Sequence, residues 1–202
     1  MAYTSNNIPA DNEKHRDASG RRKALLVSIK YSHQVDPLTG SKLELVGQHE
    51  SAFALRDLLI DSYSYNPEDI SLLLDDGDSD LPTANNLLSH MKALVEGAAS
   101  GDSFVFYFAG HGSQRVADQD EEEIDGLDQI ILPSDYTTTG NFIRDDEIKS
   151  ILVDGLPSGC RLTGIFDCSH SGTVMDLKPQ SPDAFDSPKR QSNGNSLQVP
   201  ED

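Results

Sequence analysis

Ser103-Phe-Val-Phe-Tyr-Phe-Ala109 runs directly into Gly110-His111-Gly112-Ser113, and this junction governs how the rest of the chain is read. Residues 104–109 are all apolar or aromatic. The run is too short for an ordinary helix and rich in residues that favour strands, so it reads as a strand buried on both faces. Working outward, Lys23–Ile29 (KALLVSI), Ile70–Leu74 and Arg161–Phe166 (RLTGIF) are further short apolar runs, and Asp128–Leu132 is expected as another strand. Between them the apolar residues recur at helical spacing. Ala52, Leu55, Leu58 and Leu59 mark a helix over about 48–60, and Leu87, Leu88, Met91 and Leu94 or Val95 mark one after Pro82. Asp145–Val153 is a short helix with acids in its first turn, where the helix dipole favours them. Residues 110–126 read as a long polar loop. Strands alternating with helices specify an α/β fold, a mostly parallel sheet with helices on both faces.

Composition bounds the rest. The 202 residues suit one domain with flanking tails, and 36% hydrophobic content leaves part of the chain outside a core. Residues 1–22 are expected as a disordered arm, 23–177 as the domain and 178–202, rich in Pro, Ser, Asn and Gln, as a disordered tail or linker. Acidic residues outnumber basic ones 34 to 16, a formal charge of −18. Such a chain repels nucleic acid and anionic membranes and attracts cations and basic peptides. Two cysteines, Cys160 and Cys168, make neither a disulfide framework nor a zinc pair. The amino-terminal residues lack the pattern of a signal peptide, and no apolar run could span a bilayer. The expected location is therefore the cytoplasm, with nuclear entry not excluded.

Two strand ends carry chemistry. In parallel α/β sheets, reactive groups gather where strands finish. At one end a histidine, His111, stands between two glycines. At the other, Phe166-Asp167-Cys168-Ser169-His170-Ser171-Gly172 follows the RLTGIF strand. Each cluster alone is also consistent with a tight turn. Together they can bring a histidine and a nucleophile within reach, as acyl transfer needs.

The pair resembles the caspase clan of cysteine peptidases, and metacaspases in particular. Further matching stretches are Asp125-Gly126-x-Asp128, Pro133-x-Asp135, Asp145-Asp146-Glu147 and Leu162-Thr163. The resemblance spans about Lys23 to Asp176, the region of the large catalytic subunit, and implies the caspase-like three-layer sandwich. It also implies His111 as general base, position 169 as nucleophile and the backbone at Gly112 as oxyanion support. The family pattern has cysteine immediately before His-Ser-Gly; this chain has Ser169 there. Cys168 is no simple substitute, because neighbouring side chains near a strand end point to opposite sides. An alcohol ionises far less readily than a thiol, so the expectation is an inactive or strongly impaired centre. Either an engineered change or a natural pseudo-peptidase explains the serine.

The resemblance further implies cleavage after Arg or Lys, which needs an acidic pocket. Asp167 matches one pocket acid. Ser51 stands where the second belongs, with Glu50 one residue away. Calcium is implied as cofactor, with Asp128, Asp145, Asp146 and Asp176 as ligands. The acidic runs from Asp118 and Asp76 fail the EF-hand pattern, with Glu123 and Leu81 where glycine is required. A small-subunit segment or partner chain is expected to complete the cleft. Two other readings are weighed: a pseudo-peptidase acting as a binding or regulatory module, and a serine hydrolase using Ser169 or Ser171. The latter lacks Gly-x-Ser-x-Gly and a late histidine.

Overall fold

The computed structural model describes residues 20–116 and 127–168. Strands β1 (Arg22–Ser28), β2 (Ile70–Leu74), β3 (Ser103–Ala109) and β7 (Arg161–Asp167) form one parallel sheet in the order β2-β1-β3-β7. Helices α1 (Gln48–Tyr63), α2 (Ala84–Val95) and α4 (Asp145–Leu152) cover it. A second, antiparallel sheet joins β4 (Gly112–Val116), β5 (Leu127–Ile131) and β6 (Ile143–Arg144), and a one-turn helix α3 spans Tyr136–Thr139. None of the described helices is long and apolar enough to cross a membrane.

Strand alternation divides the core in two. Leu25, Val27, Phe104, Phe106 and Phe108 point to one face, where Leu87, Met91 and Leu94 of α2 and Ile148 and Leu152 of α4 meet them. Ala24, Leu26, Val105, Tyr107 and Ala109 point to the other, where they pack with Ala52 and Leu59 of α1. The first face is built from large side chains, and the second has alanines at Ala24, Ala52 and Ala109. β1 and β3 are thus buried on both faces, with helices on each side, whereas β7 is largely exposed.

The sequence expectation and the structure differ in three places. Residues 112–116, expected within a polar loop, form β4. Their run Gly-Ser-Gln-Arg-Val has no apolar alternation to betray a strand, and pairing with β5 makes one. β5, expected from Asp128, lies in the small antiparallel sheet rather than the parallel one. The arm drawn to residue 22 ends sooner, because Arg22 already pairs with Ser103 and Arg21 is bound to Asp102.

That last contact anchors the amino edge of the sheet. The Asp102 side chain is almost fully buried and accepts from Arg21 N, Nε and Nη2, and from Ala99 N, at 2.8–3.0 Å. Burial alone would raise its carboxyl pKa, but the Arg21 and Ala99 hydrogen bonds and the Arg21 charge hold it below the ordinary value. Asp102→Ala leaves these donors unsatisfied, and we expect it to cost about 2–4 kcal/mol in urea unfolding at neutral pH. A carboxyl with a lowered folded pKa stabilises above its unfolded pKa and loses that contribution as pH falls. The gap between wild type and variant should therefore narrow below about pH 4.

Candidate active site

β3 and β7 run side by side in register, with Ala109 opposite Asp167. Just beyond, Gly110 N donates to Asp167 O at 3.3 Å. The two chemistry-bearing segments therefore leave the sheet next to each other at its carboxyl edge. Ser169, two residues past the end of β7, lies outside the described residues, as does Asp176.

His111 is held from several directions. Its backbone N donates to the Tyr31 hydroxyl at 3.0 Å, and its backbone O accepts from Leu132 N at 3.0 Å. The Tyr31 hydroxyl donates in turn to Leu132 O. The Tyr31 ring lies 4.9 Å from the imidazole, centroid to centroid. Nε2 of His111 sits 2.7 Å from the backbone oxygen of Leu43. A carbonyl can only accept, so Nε2 carries the hydrogen and Nδ1 keeps the lone pair. A proton acceptor is thus aimed away from Leu43. The sequence offered no acid to orient the imidazole; a main-chain carbonyl does so, and it leaves no trace in residue type.

Tyr31 also escaped the sequence reading. It is fully buried with a left-handed backbone, φ 50°, and its position is fixed by Asp75. That carboxylate accepts from Lys30 N and Tyr31 N at 2.8 Å each and lies 2.8 Å from Nε2 of His49. Burial pushes the Tyr31 phenol well above its usual range, so it remains a hydroxyl donor. The glycine before His111 follows from this packing. A Cβ on Gly110 would lie 2.8 Å from the Tyr31 hydroxyl and 2.9 Å from the Phe108 ring. Gly112 opens β4, opposite Ile131.

The expected pocket residues divide. Ser51 and Asp167 both act on the Tyr107 phenol. Burial raises its pKa first and the Asp167 charge second, while a hydrogen bond with Ser51 opposes them. Asp167 and Ser51 are exposed and meet around this one side chain, itself an unanticipated part of the site. Glu50 instead pairs with Lys30 at 3.4 Å on the exposed start of α1. Of the four expected calcium ligands, Asp145 and Asp146 stand together at the start of α4, Asp145 buried and Asp146 half-buried. The Asp145 carboxylate accepts from Asp146 N at 3.1 Å and from Gln129 N at 3.4 Å. Asp128 precedes Gln129 in β5. No group of three or more potential metal ligands occurs among the described residues.

Cys168 turns away from Asp167 and packs against the α2 side of the core. Burial, then the neighbouring Asp167 charge, pushes its thiol up to about 11. Comparison with known proteins accords with this geometry. Residues 22–178 match the family model described as metacaspase, peptidase C14 domain. The chain belongs to the metacaspase family. It is 40% identical over 166 residues to Metacaspase-1 of Cryptococcus neoformans var. neoformans serotype D, covering 81% of this chain and 34% of that protein. It is 41% identical over 166 residues to Metacaspase-1 of Yarrowia lipolytica, with 81% and 34% covered. Against Metacaspase-1 of Schizosaccharomyces pombe the figures are 38% over 166 residues, with 81% and 37% covered. The chain thus spans little more than a third of the length of these relatives. A crystal structure of a protein from Geobacter sulfurreducens shares the fold, with TM-score 0.56 and 23% identity over 76% of this chain and 52% of that one.

In this metacaspase domain the raised thiol of Cys168 stays protonated at neutral pH. Iodoacetamide labelling of the folded protein should be slow at pH 7 and accelerate only as pH approaches about 11. Fast labelling of Cys168 at pH 7, located by peptide mass mapping, would contradict its burial.

Proposed function

We propose that this metacaspase domain forms the large-subunit half of a cysteine-peptidase centre, with His111 as base and position 169 as nucleophile. We further propose that Ser169 leaves the present chain without effective hydrolysis. The observation that carries the reading is the shared exit of the His111 and Asp167 strand ends, 3.3 Å apart at Gly110 N and Asp167 O, with the imidazole oriented by Leu43 O.

The chemistry follows from the orienting group. With a thiol at 169, Nδ1 of His111 takes the proton and the thiolate attacks the peptide carbonyl carbon. The imidazolium then gives its proton to the leaving amine as the carbon–nitrogen bond breaks. Water, deprotonated by the same imidazole, releases the acyl group. A neutral carbonyl such as Leu43 O supports an imidazolium less than a carboxylate would. That is enough for a thiol, whose ordinary pKa is about 8.5, and too little for an alcohol. Substrate peptides bear Arg or Lys before the scissile bond, received by Asp167 with Ser51 beside Tyr107. Calcium is held by Asp145 and Asp146, joined by Asp128 and Asp176. A buried carboxylate beside a second one suits a hard cation that prefers oxygen donors. A small-subunit segment, in the same chain or another, completes the cleft, and the site of action is the cytoplasm.

A second reading has its own support. Ser51 as well as Ser169 replaces a chemically important residue of the family pattern, and two such losses suit a natural pseudo-peptidase that binds rather than cleaves.

Hydrolysis of Arg- and Lys-terminated peptide reporters separates the two. We expect negligible turnover by the chain as it stands, even with calcium. Ser169→Cys, in a chain extended by a small-subunit segment, should raise turnover about a hundredfold or more, and His111→Ala should return it to baseline. A cysteine form that neither cleaves nor reacts with an arginyl chloromethyl ketone would leave the binding-module reading standing. Calcium is checked by isothermal titration. Binding should weaken at least about tenfold in Asp145→Ala/Asp146→Ala, and unchanged binding would remove both residues from the site.

A further inference from the structure

Residue 49 stands where the helical pattern calls for an apolar side chain. His49, Ala52 and Leu59 are the buried residues of α1 and lie along its core-facing stripe. Among the described residues His49 is the one buried histidine. A buried imidazole is unfavourable unless it is hydrogen-bonded. Its partner is Asp75, just beyond β2. Nε2 lies 2.8 Å from Oδ1, and the two side chains are 8% and 11% exposed. A carboxylate only accepts, so Nε2 is the donor.

Asp75 is a junction rather than an end. Oδ1 also accepts from Lys30 N and Oδ2 from Tyr31 N, each at 2.8 Å. These two amides open a loop whose backbone is left-handed at Tyr31 and again at His33, with φ 50° and 62°. Residues with a Cβ keep that conformation only where their surroundings hold it. Glu50, next to His49, pairs with the Lys30 side chain at 3.4 Å, so two successive residues of α1 bear on the same loop residue. From Tyr31 the series continues, because its hydroxyl accepts from His111 N at 3.0 Å. Hydrogen bonds thus run without a break from the first turn of α1 to the His111 turn, save for the Tyr31 side chain itself.

We propose that His49 is a positioning residue for His111, acting through Asp75 and Tyr31; the role rests on the reading of His111 as base. The ring N–H of His49 fixes the Asp75 carboxylate, the carboxylate holds the two loop amides, and the loop delivers the Tyr31 hydroxyl to His111 N. With an apolar residue at 49, Asp75 keeps two donors on one loop and loses the one that ties it to α1. The same turn of the helix carries Ser51, so one turn bears on the base and presents the proposed pocket residue.

Amide hydrogen exchange of the 202-residue chain, followed by NMR, tests this without any turnover. In wild type the His111 amide should be protected by the Tyr31 hydroxyl. His49→Leu fills the core but removes the donor. It should speed exchange at His111 about tenfold or more relative to Phe106 in the middle of β3. An imidazole that only fills space would, on removal, speed both amides alike. His49→Gln, whose amide nitrogen donates from about the place of Nε2, should restore protection at His111. Tyr31→Phe removes the acceptor and should match or exceed His49→Leu. Adding His49→Leu to it should change nothing further, since both act through one hydroxyl. Circular dichroism confirms that each variant is folded, and His49→Met supplies a second apolar replacement should His49→Leu not fold. Equal acceleration at His111 and Phe106 overturns the proposal. So does a His49→Gln that behaves like His49→Leu, or an additive effect in the double variant. A silent Ser169→Cys chain would bear on the peptidase reading alone, and an unmoved His111 amide on His49 alone.

Discussion

The hydroxyl of Tyr31 is the point on which the candidate site depends. It is buried at the carboxyl edge of the sheet, donates to Leu132 O and accepts from His111 N. A buried hydroxyl without partners would be costly, so it fixes the relative position of three segments: the loop after β1, the His111 turn and the strand leading to Leu132. The same packing excludes any side chain at Gly110. The tyrosine itself adopts a left-handed backbone that residues with a Cβ rarely take, and Asp75 holds it there by accepting both Lys30 N and Tyr31 N. The imidazole is therefore placed by buried hydrogen bonds made well before any substrate arrives.

The alternation of β7 does a second job. Odd-numbered residues face α1 and even-numbered ones face α2, so Asp167 and Cys168 part company at the strand end. Asp167 reaches the Tyr107–Ser51 side. Cys168 joins the core, where burial keeps it a thiol. Cys168 shares the cluster of Tyr31, Leu43 and Leu132 that holds His111, so burial and the raised thiol, rather than a separate face, set it apart from a reactive cysteine.

Much of this was legible in the sequence. β1 and β3 announced themselves as short apolar runs, because burial on both faces leaves no room for polar alternation; β7, also read as an apolar run, is largely exposed. His111 and Asp167 stood out because polar groups at the ends of such strands are conspicuous. β4 did not stand out, since a polar strand formed only by pairing with β5 has no hydrophobic period of its own. Tyr31 was hidden because an aromatic in a loop looks like any other, and its partners are 80 and 101 residues away in sequence. The Leu43 carbonyl could not be found at all, for every residue carries one. Glu50 drew notice by its charge, and at the surface it pairs with Lys30.

The nature of the orienting group links fold to chemistry. In a hydrolase built on serine, the base must take a proton from an alcohol, and a buried carboxylate opposite the imidazole stabilises the cation that results. Here the loop holding Leu43 offers a carbonyl, whose dipole aligns the ring but supplies no full charge. Asp75, a half-buried carboxylate beside Tyr31, is committed to Lys30 N, Tyr31 N and His49. Redirecting it would release Tyr31, and with it the His111 backbone. On the proposed reading, among the described residues no carboxylate is free to orient the imidazole for serine chemistry. On that reading, the carbonyl of Leu43 that orients His111 suits the thiol of a cysteine peptidase rather than an alcohol.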